Sequence, residues 1–140
     1  MTAAPGGVYN RAMSLFAIAD LHLSTNGKKG MEVFGAHWAG HAEKIRARWF
    51  ETVGPDDTVL VAGDISWELR FEEARLDLEW LAELPGTKIL VRGNHDYWWA
   101  SLSKVKQDLP ASIIPLQNTA ARFGEVGIAG SRLWIDPDLR

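Results

Sequence analysis

The segment Ile89-Leu90-Val91-Arg92-Gly93-Asn94-His95-Asp96 decides how the rest of the sequence is interpreted. An apolar run ends at Gly93, and three polar side chains follow at once. Asn94 offers a neutral oxygen ligand for a metal ion, His95 can donate a proton, and Asp96 can orient that histidine. The last four residues could equally form an ordinary turn, because Gly, Asn and Asp are frequent turn residues.

Two earlier apolar runs end in the same way, which favours a site over a turn. Residues 15–19 are followed by Asp20 and His22, and residues 59–62 are followed by Gly63-Asp64. Runs without polar alternation are typical of strands that are covered on both faces of a parallel sheet. The sequence therefore predicts three parallel strands, each with polar residues at its carboxyl end.

Helical periodicity separates these runs. Residues 42–53 place apolar side chains on one helical face, and Gly54-Pro55 ends that helix. Residues 71–81 do the same before Pro85-Gly86, with charged side chains such as Asp77 expected to face water. The predicted order is β-α-β-α-β, an α/β fold with a parallel sheet and flanking helices.

The remaining sequence predicts smaller elements. Residues 102–109 are typical of a short helix with Ser101 as its N-cap. Residues 113–114 are strand-like, and residues 120–123 and 126–129 indicate a short antiparallel hairpin around Gly124-Glu125. Residues 1–12 show no periodicity and are expected to form a loose tail, which places the domain at residues 13–140.

The predicted topology has a geometric consequence for the polar residues. The carboxyl ends of parallel strands share one edge of the sheet, and open α/β sheets bind ligands at that edge. We therefore expect Asp20, His22, Asp64, Asn94 and His95 to lie close together.

Whole-chain properties exclude several classes of protein. The 140 residues suit one modest domain, and the net charge of −3 argues against a nucleic-acid-binding protein. The sequence contains no cysteine, which excludes disulfides and thiolate metal sites and is consistent with a cytoplasmic protein. No apolar run approaches the roughly 20 residues of a membrane-spanning helix.

The residue types at the shared edge suit metal-assisted phosphate chemistry. Asp20 and His22 could bind one metal ion, and a carboxylate at Asp64 could bridge two ions. The Asn94 amide oxygen could complete the coordination of the second ion. Two cations a few ångströms apart act as a clamp for in-line displacement at phosphorus. Each motif alone is a weak signal, but three in order at strand ends form a strong one.

The motifs Asp20-Leu21-His22, Gly63-Asp64 and Gly93-Asn94-His95-Asp96 resemble the first three motifs of the calcineurin-like metallophosphoesterases. Flanking segments are similar to a bacterial group of predicted phosphohydrolases, and the similarity runs from about Leu15 to the last residues. These segments are Met31-Glu32-Val33-Phe34-Gly35, Trp38, Ile65-Ser66-Trp67, Tyr97-Trp98-Trp99 and Gly130-Ser131-Arg132-x-Trp134. The resemblance implies the N-terminal part of a sandwich of two sheets flanked by helices.

The resemblance also implies roles for the motif residues. Asp20 and His22 would bind a first divalent metal ion, Mn, Fe or Zn. Asp64 would bridge to a second ion, which Asn94 would bind. A metal-bridging hydroxide would then hydrolyse a small phosphate mono- or diester in line.

Two further motif residues would act on the substrate or on each other. The resemblance implies that His95 donates a proton to the leaving group or contacts a phosphoryl oxygen. Asp96 would orient the His95 ring.

The sequence departs from the family in its histidines. Family members carry two further motifs, one with a single His and one with Gly-His-x-His, that complete both metal shells. The histidines of this sequence are His22, His37, His41 and His95, so none follows His95. We therefore expect a C-terminally incomplete domain. The chain would then be a truncated, inactive fragment, or a subunit completed by a homodimer or by a partner chain.

Simpler interpretations apply to other residues. His37 and His41 are expected to be solvent-exposed or helix-entry residues rather than ligands. Packing is expected for two of the three tryptophans Trp67, Trp98 and Trp99, although any of them could wall a substrate pocket.

Arg92 and Arg132 have two open interpretations. Either could contact a phosphate, but a solvated arginine is the commoner outcome. The sequence does not distinguish between the two.

Overall fold

A parallel sheet forms the centre of the fold. The computed structural model describes residues 13–132, and within them four parallel strands hydrogen-bond in the order β1-β2-β3-β4. The strands are β1 (Leu15–Ile18), β2 (Thr58–Val61), β3 (Thr87–Val91) and β4 (Ile113–Leu116). The α/β fold with a parallel sheet is confirmed.

Each strand contains a short apolar run of the sequence. Leu60 of β2 pairs with Ala17 of β1 on one side and with Ile89 of β3 on the other. The central strands β2 and β3 are largely buried, as expected for a sheet covered on both faces.

The strand-like segment at residues 113–114 is longer than predicted and extends the parallel sheet. It is β4, which pairs parallel to β3 at the edge of the sheet. Pro115 lies within it, and an edge strand tolerates a proline because one side of its backbone needs no partner.

Three α-helices connect the strands within residues 13–132. They are α1 (His41–Thr52), α2 (Phe71–Ala82) and α3 (Leu102–Asp108). The predicted N-cap is confirmed, because the Ser101 side chain accepts a hydrogen bond from the Lys104 N–H.

The expectation that Asp77 of α2 faces water is wrong. This residue is buried, and its carboxylate accepts hydrogen bonds from the Ser66 hydroxyl and from the Thr25 N–H. Its side of α2 faces the loops that follow β1 and β2, which supply these donors. A charged residue can therefore sit inside when neighbouring loops satisfy it.

The predicted hairpin is confirmed as a separate antiparallel pair. Strands β5 (Thr119–Phe123) and β6 (Val126–Gly130) pair with Phe123 opposite Val126. Gly124 lies in the connecting turn with a φ of 56°, a conformation that glycine adopts without strain.

Two expectations concern the ends of the chain. The predicted loose tail at residues 1–12 and Trp134 of the late motif lie outside the described residues. The assignment of one domain to residues 13–140 stays a prediction. Among residues 13–132, no helix has both the length and the apolar character needed to cross a lipid bilayer.

Candidate metal centre

The loops that follow β1 and β2 run side by side at the carboxyl edge of the sheet. The Asp20 N–H donates to the Gly63 carbonyl at 3.1 Å, and the His22 N–H donates to the Asp64 carbonyl at 2.9 Å. These backbone hydrogen bonds continue the parallel pairing past the ends of the strands. They bring the first two motifs together.

Three site residues have an unusual backbone conformation. Asp20, His22 and Asp64 have φ values of 57°, 43° and 52°. Residues other than glycine rarely adopt this left-handed region, and such conformations concentrate at functional sites. The turns aim all three side chains toward one point.

The side chains of these residues form a cluster that could hold a metal ion. His22 Nε2 lies 3.7 Å from Asp20 Oδ1 and 4.0 Å from Asp64 Oδ2. One ligand atom from each residue lies within 4.8 Å of the other two. Asp20 is exposed, whereas His22 and Asp64 are mostly buried, so the cluster opens to solvent on one side.

The state of His22 fits metal binding. Burial lowers the pKa of its ring, although the Asp64 and Asp20 carboxylates act in the opposite direction. The ring is therefore biased toward the neutral form, which is the form that binds metals. Its Nδ1 atom is buried without a hydrogen-bond partner within residues 13–132. Oxygen and imidazole donors in this combination suit a divalent metal ion.

Trp67 supports the cluster from one side. Its ring stacks on the His22 ring at a centroid distance of 4.6 Å and an interplanar angle of 26°. Trp98 and Trp99 are buried in the core, which confirms the prediction that two of the three tryptophans serve packing. The sequence did not indicate which one would contact the site.

The loop that follows β3 brings Asn94 and His95 to the same edge of the sheet. Asn94 lines a cavity of about 500 Å³ together with Asp20 and Asp64. The His95 ring lies 5.7 Å from the His22 ring and 5.2 Å from the Trp67 ring. All five residues that were expected to converge are therefore neighbours.

Asp96 has a different set of partners from the one expected. Its carboxylate accepts hydrogen bonds from the N–H groups of four residues and from the Trp98 indole, at 2.8–3.3 Å. The four N–H donors are Asp64, Ile65, Ser66 and Gly93. Within residues 13–132, none of its hydrogen bonds reaches the His95 ring. The physical reason is burial, because an enclosed carboxylate takes the backbone donors that surround it.

Burial and hydrogen bonding shift the pKa of Asp96 in opposite directions. Burial raises the pKa of its carboxyl above the ordinary value, and the hydrogen bonds from Gly93, Ile65, Ser66 and Trp98 oppose that shift. Asp96 thus ties the second motif to the third and is a positioning residue.

The loops that follow β2 and β3 also approach each other so closely that each of them needs a glycine. A Cβ atom on Gly63 would lie 2.7 Å from Gly93 Cα, and a Cβ atom on Gly93 would overlap the Asp64 carboxylate. Both glycines are therefore needed for the position of the central carboxylate.

His37 and His41 lie outside the cluster, in agreement with their expected minor roles. His41 Nε2 lies 3.0 Å from the Leu21 carbonyl oxygen, at the start of α1. His37 packs beside Trp38 in a short 3-10 turn.

Two arginines complete the wall of the 500 Å³ cavity, and both follow strands of the fold. Arg92 follows β3, and Arg132 follows β6. Burial and the Arg132 guanidinium lower the pKa of Arg92, whereas the Asp96 carboxylate raises it.

Several known proteins are similar to this chain in sequence or in fold. Residues 13–137 match the family model of the calcineurin-like phosphoesterases. The gene 66 protein of Mycobacterium phage D29 is 45% identical over 62 residues, which cover 42% of this chain and 30% of the phage protein. The gene 66 protein of Mycobacterium phage L5 is 32% identical over 78 residues, which cover 56% and 37%.

A solved structure has a similar fold. The protein of unknown function AQ665 from Aquifex aeolicus matches with a TM-score of 0.51 and 22% identity, over 81% of this chain and 56% of that protein. The chain thus spans only about a third of the two phage proteins and about half of the Aquifex protein. The family match covers nearly the whole chain and agrees with the sheet and the motif order, so this chain belongs to the calcineurin-like phosphoesterase family.

Proposed function

We propose that this protein hydrolyses a small phosphate mono- or diester with the aid of divalent metal ions. The proposal depends on one observation above all. Asp20, His22 and Asp64 bring their ligand atoms within 4.8 Å of one another, in a chain of the calcineurin-like phosphoesterase family. Membership of that family indicates metal-dependent hydrolysis of phosphoesters as the class of activity.

Each ligand has a role in the proposal. Asp20 and His22 hold a first ion, Asp64 is shared between two ions, and Asn94 holds the second. When bound, the ions would supply Lewis acidity, which would favour a water nucleophile near neutral pH and offset negative charge on the phosphoryl group. The left-handed turns at Asp20, His22 and Asp64 keep the donors directed at one point.

His95 is the proposed proton donor. Its ring borders the cluster, 5.7 Å from the His22 ring, and a ring nitrogen can deliver a proton to the leaving oxygen. Asp96 acts at a distance from the substrate, because it holds the backbone that carries Asp64 and Gly93.

The candidate ligands in this chain are too few to coordinate two metal ions by themselves. Four candidate ligands, Asp20, His22, Asp64 and Asn94, cannot fill the shells of two ions, and no histidine follows His95. In our proposal the missing ligands come from another polypeptide segment or from a second chain. The alternative is an inactive metal-binding fragment.

Turnover by the purified chain tests the proposal. We expect Mn²⁺-dependent hydrolysis of p-nitrophenyl phosphate or bis(p-nitrophenyl) phosphate that Asp64→Asn abolishes. Asp108→Asn is the matched control, because this aspartate ends α3 on the exposed surface, away from the cluster.

Calorimetric titration with Mn²⁺ distinguishes a phosphoesterase from an inactive metal-binding fragment. Binding that requires Asp64, without turnover of either ester, would reject hydrolysis by this chain alone and support the fragment. Turnover that survives Asp64→Asn would reject the proposed centre altogether.

A further inference from the structure

Three aromatic side chains lie beside the proposed proton donor, His95. The Trp67 ring lies 5.2 Å from the His95 ring, and the Tyr97 ring lies 6.2 Å from it. The Phe34 ring in turn stacks on the Trp67 ring, at a centroid distance of 6.2 Å and an interplanar angle of 14°. Phe34, Trp67 and Tyr97 together form an aromatic wall next to the candidate centre.

Two rings of the aromatic wall lie largely in water. Phe34 is 61% exposed and Tyr97 is 59% exposed, and Val33 beside Phe34 is 80% exposed. Neighbouring apolar side chains that are exposed together often mark a surface that binds a ligand. This degree of exposure argues against a role in packing, and the position beside a polar centre favours a role in substrate binding.

The aromatic wall also opens onto a cavity. Phe34 and Trp67 line this cavity, whose volume of about 350 Å³ is in the range of small-molecule sites. Its cationic residues, Lys28 and Lys29, have acidic partners at 3.2 Å and 3.6 Å. What the cavity offers a ligand is therefore mainly aromatic and apolar surface.

The position of His95 indicates which part of a substrate would contact the aromatic wall. In the proposed reaction, His95 gives its proton to the oxygen of the leaving group. The rings next to His95 therefore lie beside the leaving group, whereas the metal cluster lies beside the phosphoryl group. Aromatic rings pack on planar groups in offset-stacked or edge-to-face arrangements that a saturated group cannot reproduce.

We propose that the aromatic wall is a subsite that selects phosphoesters whose leaving group carries a planar aromatic ring. This inference rests on the proposed phosphoesterase function and adds the class of leaving group to it. The ring is joined directly to the ester oxygen in phenyl phosphate and through a sugar in a nucleotide. Both carry the same kind of planar ring, and comparison of phenyl phosphate with adenosine 5′-monophosphate distinguishes them.

Binding of phosphonates tests the subsite without turnover, because a phosphonate has a carbon–phosphorus bond in place of the ester bond. Calorimetric titration compares phenylphosphonate with cyclohexylphosphonate, which has a ring of similar size but no π face. The titrations are made in the presence of Mn²⁺ with wild type, Phe34→Leu and Tyr97→Leu. We expect wild type to bind phenylphosphonate at least about fivefold more tightly, and each variant to lose most of that preference.

Phe50→Leu is the matched control for Phe34→Leu. Phe50 is 55% exposed, close to the value for Phe34, but it lies on α1 against the guanidinium of Arg46. The same substitution there should leave the preference for phenylphosphonate unchanged. A leucine retains apolar surface in place of the ring, and the thermal midpoint identifies any variant that fails to fold.

Two kinetic ratios identify the source of the ring. The kcat/KM for phenyl phosphate is divided by that for cyclohexyl phosphate, and the value for adenosine 5′-monophosphate by that for ribose 5-phosphate, which lacks the base. Phe34→Leu should lower at least one ratio about fivefold. A loss in the first ratio alone would assign the subsite to simple aryl esters, and a loss in the second alone to nucleotides. A merely structural phenylalanine would leave both ratios unchanged.

The outcomes separate this inference from the proposed function. A preference for phenylphosphonate that depends on Phe34, in a protein that hydrolyses none of the esters, would reject the function and leave the subsite in place. Hydrolysis with unchanged ratios in Phe34→Leu would reject the subsite and leave the function in place. Wild type that binds neither phosphonate, or both equally, would also overturn the subsite, as would equal losses in Phe34→Leu and Phe50→Leu. An effect of Phe34→Leu on the oligomeric state alone would assign the aromatic wall to a protein interface instead.

Discussion

Asp64 and Asp96 hold each other's loops by reciprocal hydrogen bonds. The Asp64 N–H donates to Asp96 Oδ2 at 2.9 Å, while Asp64 Oδ1 accepts from the N–H of His95, the neighbour of Asp96, also at 2.9 Å. These hydrogen bonds couple the loop after β2 to the loop after β3. Rigid placement of this kind is what a metal site requires of its ligands.

Replacement of Asp96 should be costly for stability. In Asp96→Asn the carboxylate becomes an amide whose NH₂ group faces backbone donors, so several buried N–H groups lose their acceptor. We expect the free energy of unfolding to fall by about 3 kcal/mol, measured by urea denaturation.

Asp108→Asn is the matched control for this variant. The same chemical change at the exposed end of α3 should leave stability within about 0.5 kcal/mol of wild type. A loss below about 1 kcal/mol in Asp96→Asn would contradict the role of Asp96 as the link between the two loops.

Gly93→Ala should disrupt the metal centre directly. The added methyl group would overlap the Asp64 carboxylate, so this ligand must move. We expect at least about a tenfold loss of Mn²⁺ affinity and a loss of about 2 kcal/mol in stability. Gly127→Ala provides the control, because a Cβ atom on Gly127 would meet nothing within 4 Å. Equal behaviour of the two variants would show that the close approach does not matter.

The histidines outside the cluster should matter little for metal binding. We expect His37→Ala/His41→Ala to change Mn²⁺ affinity by less than about threefold, while His22→Ala lowers it by about 100-fold or more. The double variant should lose about 1 kcal/mol of stability, because the hydrogen bond between His41 and the Leu21 carbonyl disappears. Titration calorimetry of all three proteins gives the comparison. A large affinity loss in the double variant would identify these residues as substitute ligands.

Lys88 provides a pH-dependent prediction away from the site. This residue of β3 is fully buried, and its Nζ donates to the carbonyls of Leu84 at 2.6 Å and of Gly86 at 2.9 Å. Burial lowers the pKa of Lys88 to about 8 from an ordinary 10.5. Between these values the folded protein has released the proton, whereas the unfolded chain still binds it.

The free energy of unfolding should therefore rise with pH in this window. The contribution of Lys88 is fully present above the unfolded pKa and is lost as the pH falls through about 8. We expect the difference between wild type and Lys88→Met to grow by up to about 3 kcal/mol from pH 8 to 10.5. Urea unfolding across this range measures it. The exposed Lys106→Met should keep the wild-type rise, and a flat difference for Lys88→Met would rule out the lowered pKa.

Local sequence was enough to predict the succession of strands and helices. The runs that became β1, β2 and β3 are continuous and apolar, and their burial in a parallel sheet requires no distant information. Because parallel strands have their carboxyl ends at one edge of the sheet, the predicted topology also placed Asp20, Asp64 and Asn94 close together.

The sequence by itself thus determined the fold class and the set of residues at the candidate centre, because periodicity and strand ends are encoded locally. Only the tertiary structure decided the hydrogen-bond partners of Asp96, three of which lie 30–32 residues away in the loop after β2. The same is true of the burial of Asp77, whose carboxylate accepts a hydrogen bond from the Thr25 N–H, 52 residues away. The tertiary structure also decided that Trp67 stacks on His22. A buried polar side chain is defined by the donors around it, and distant segments supply those donors only after the chain has folded.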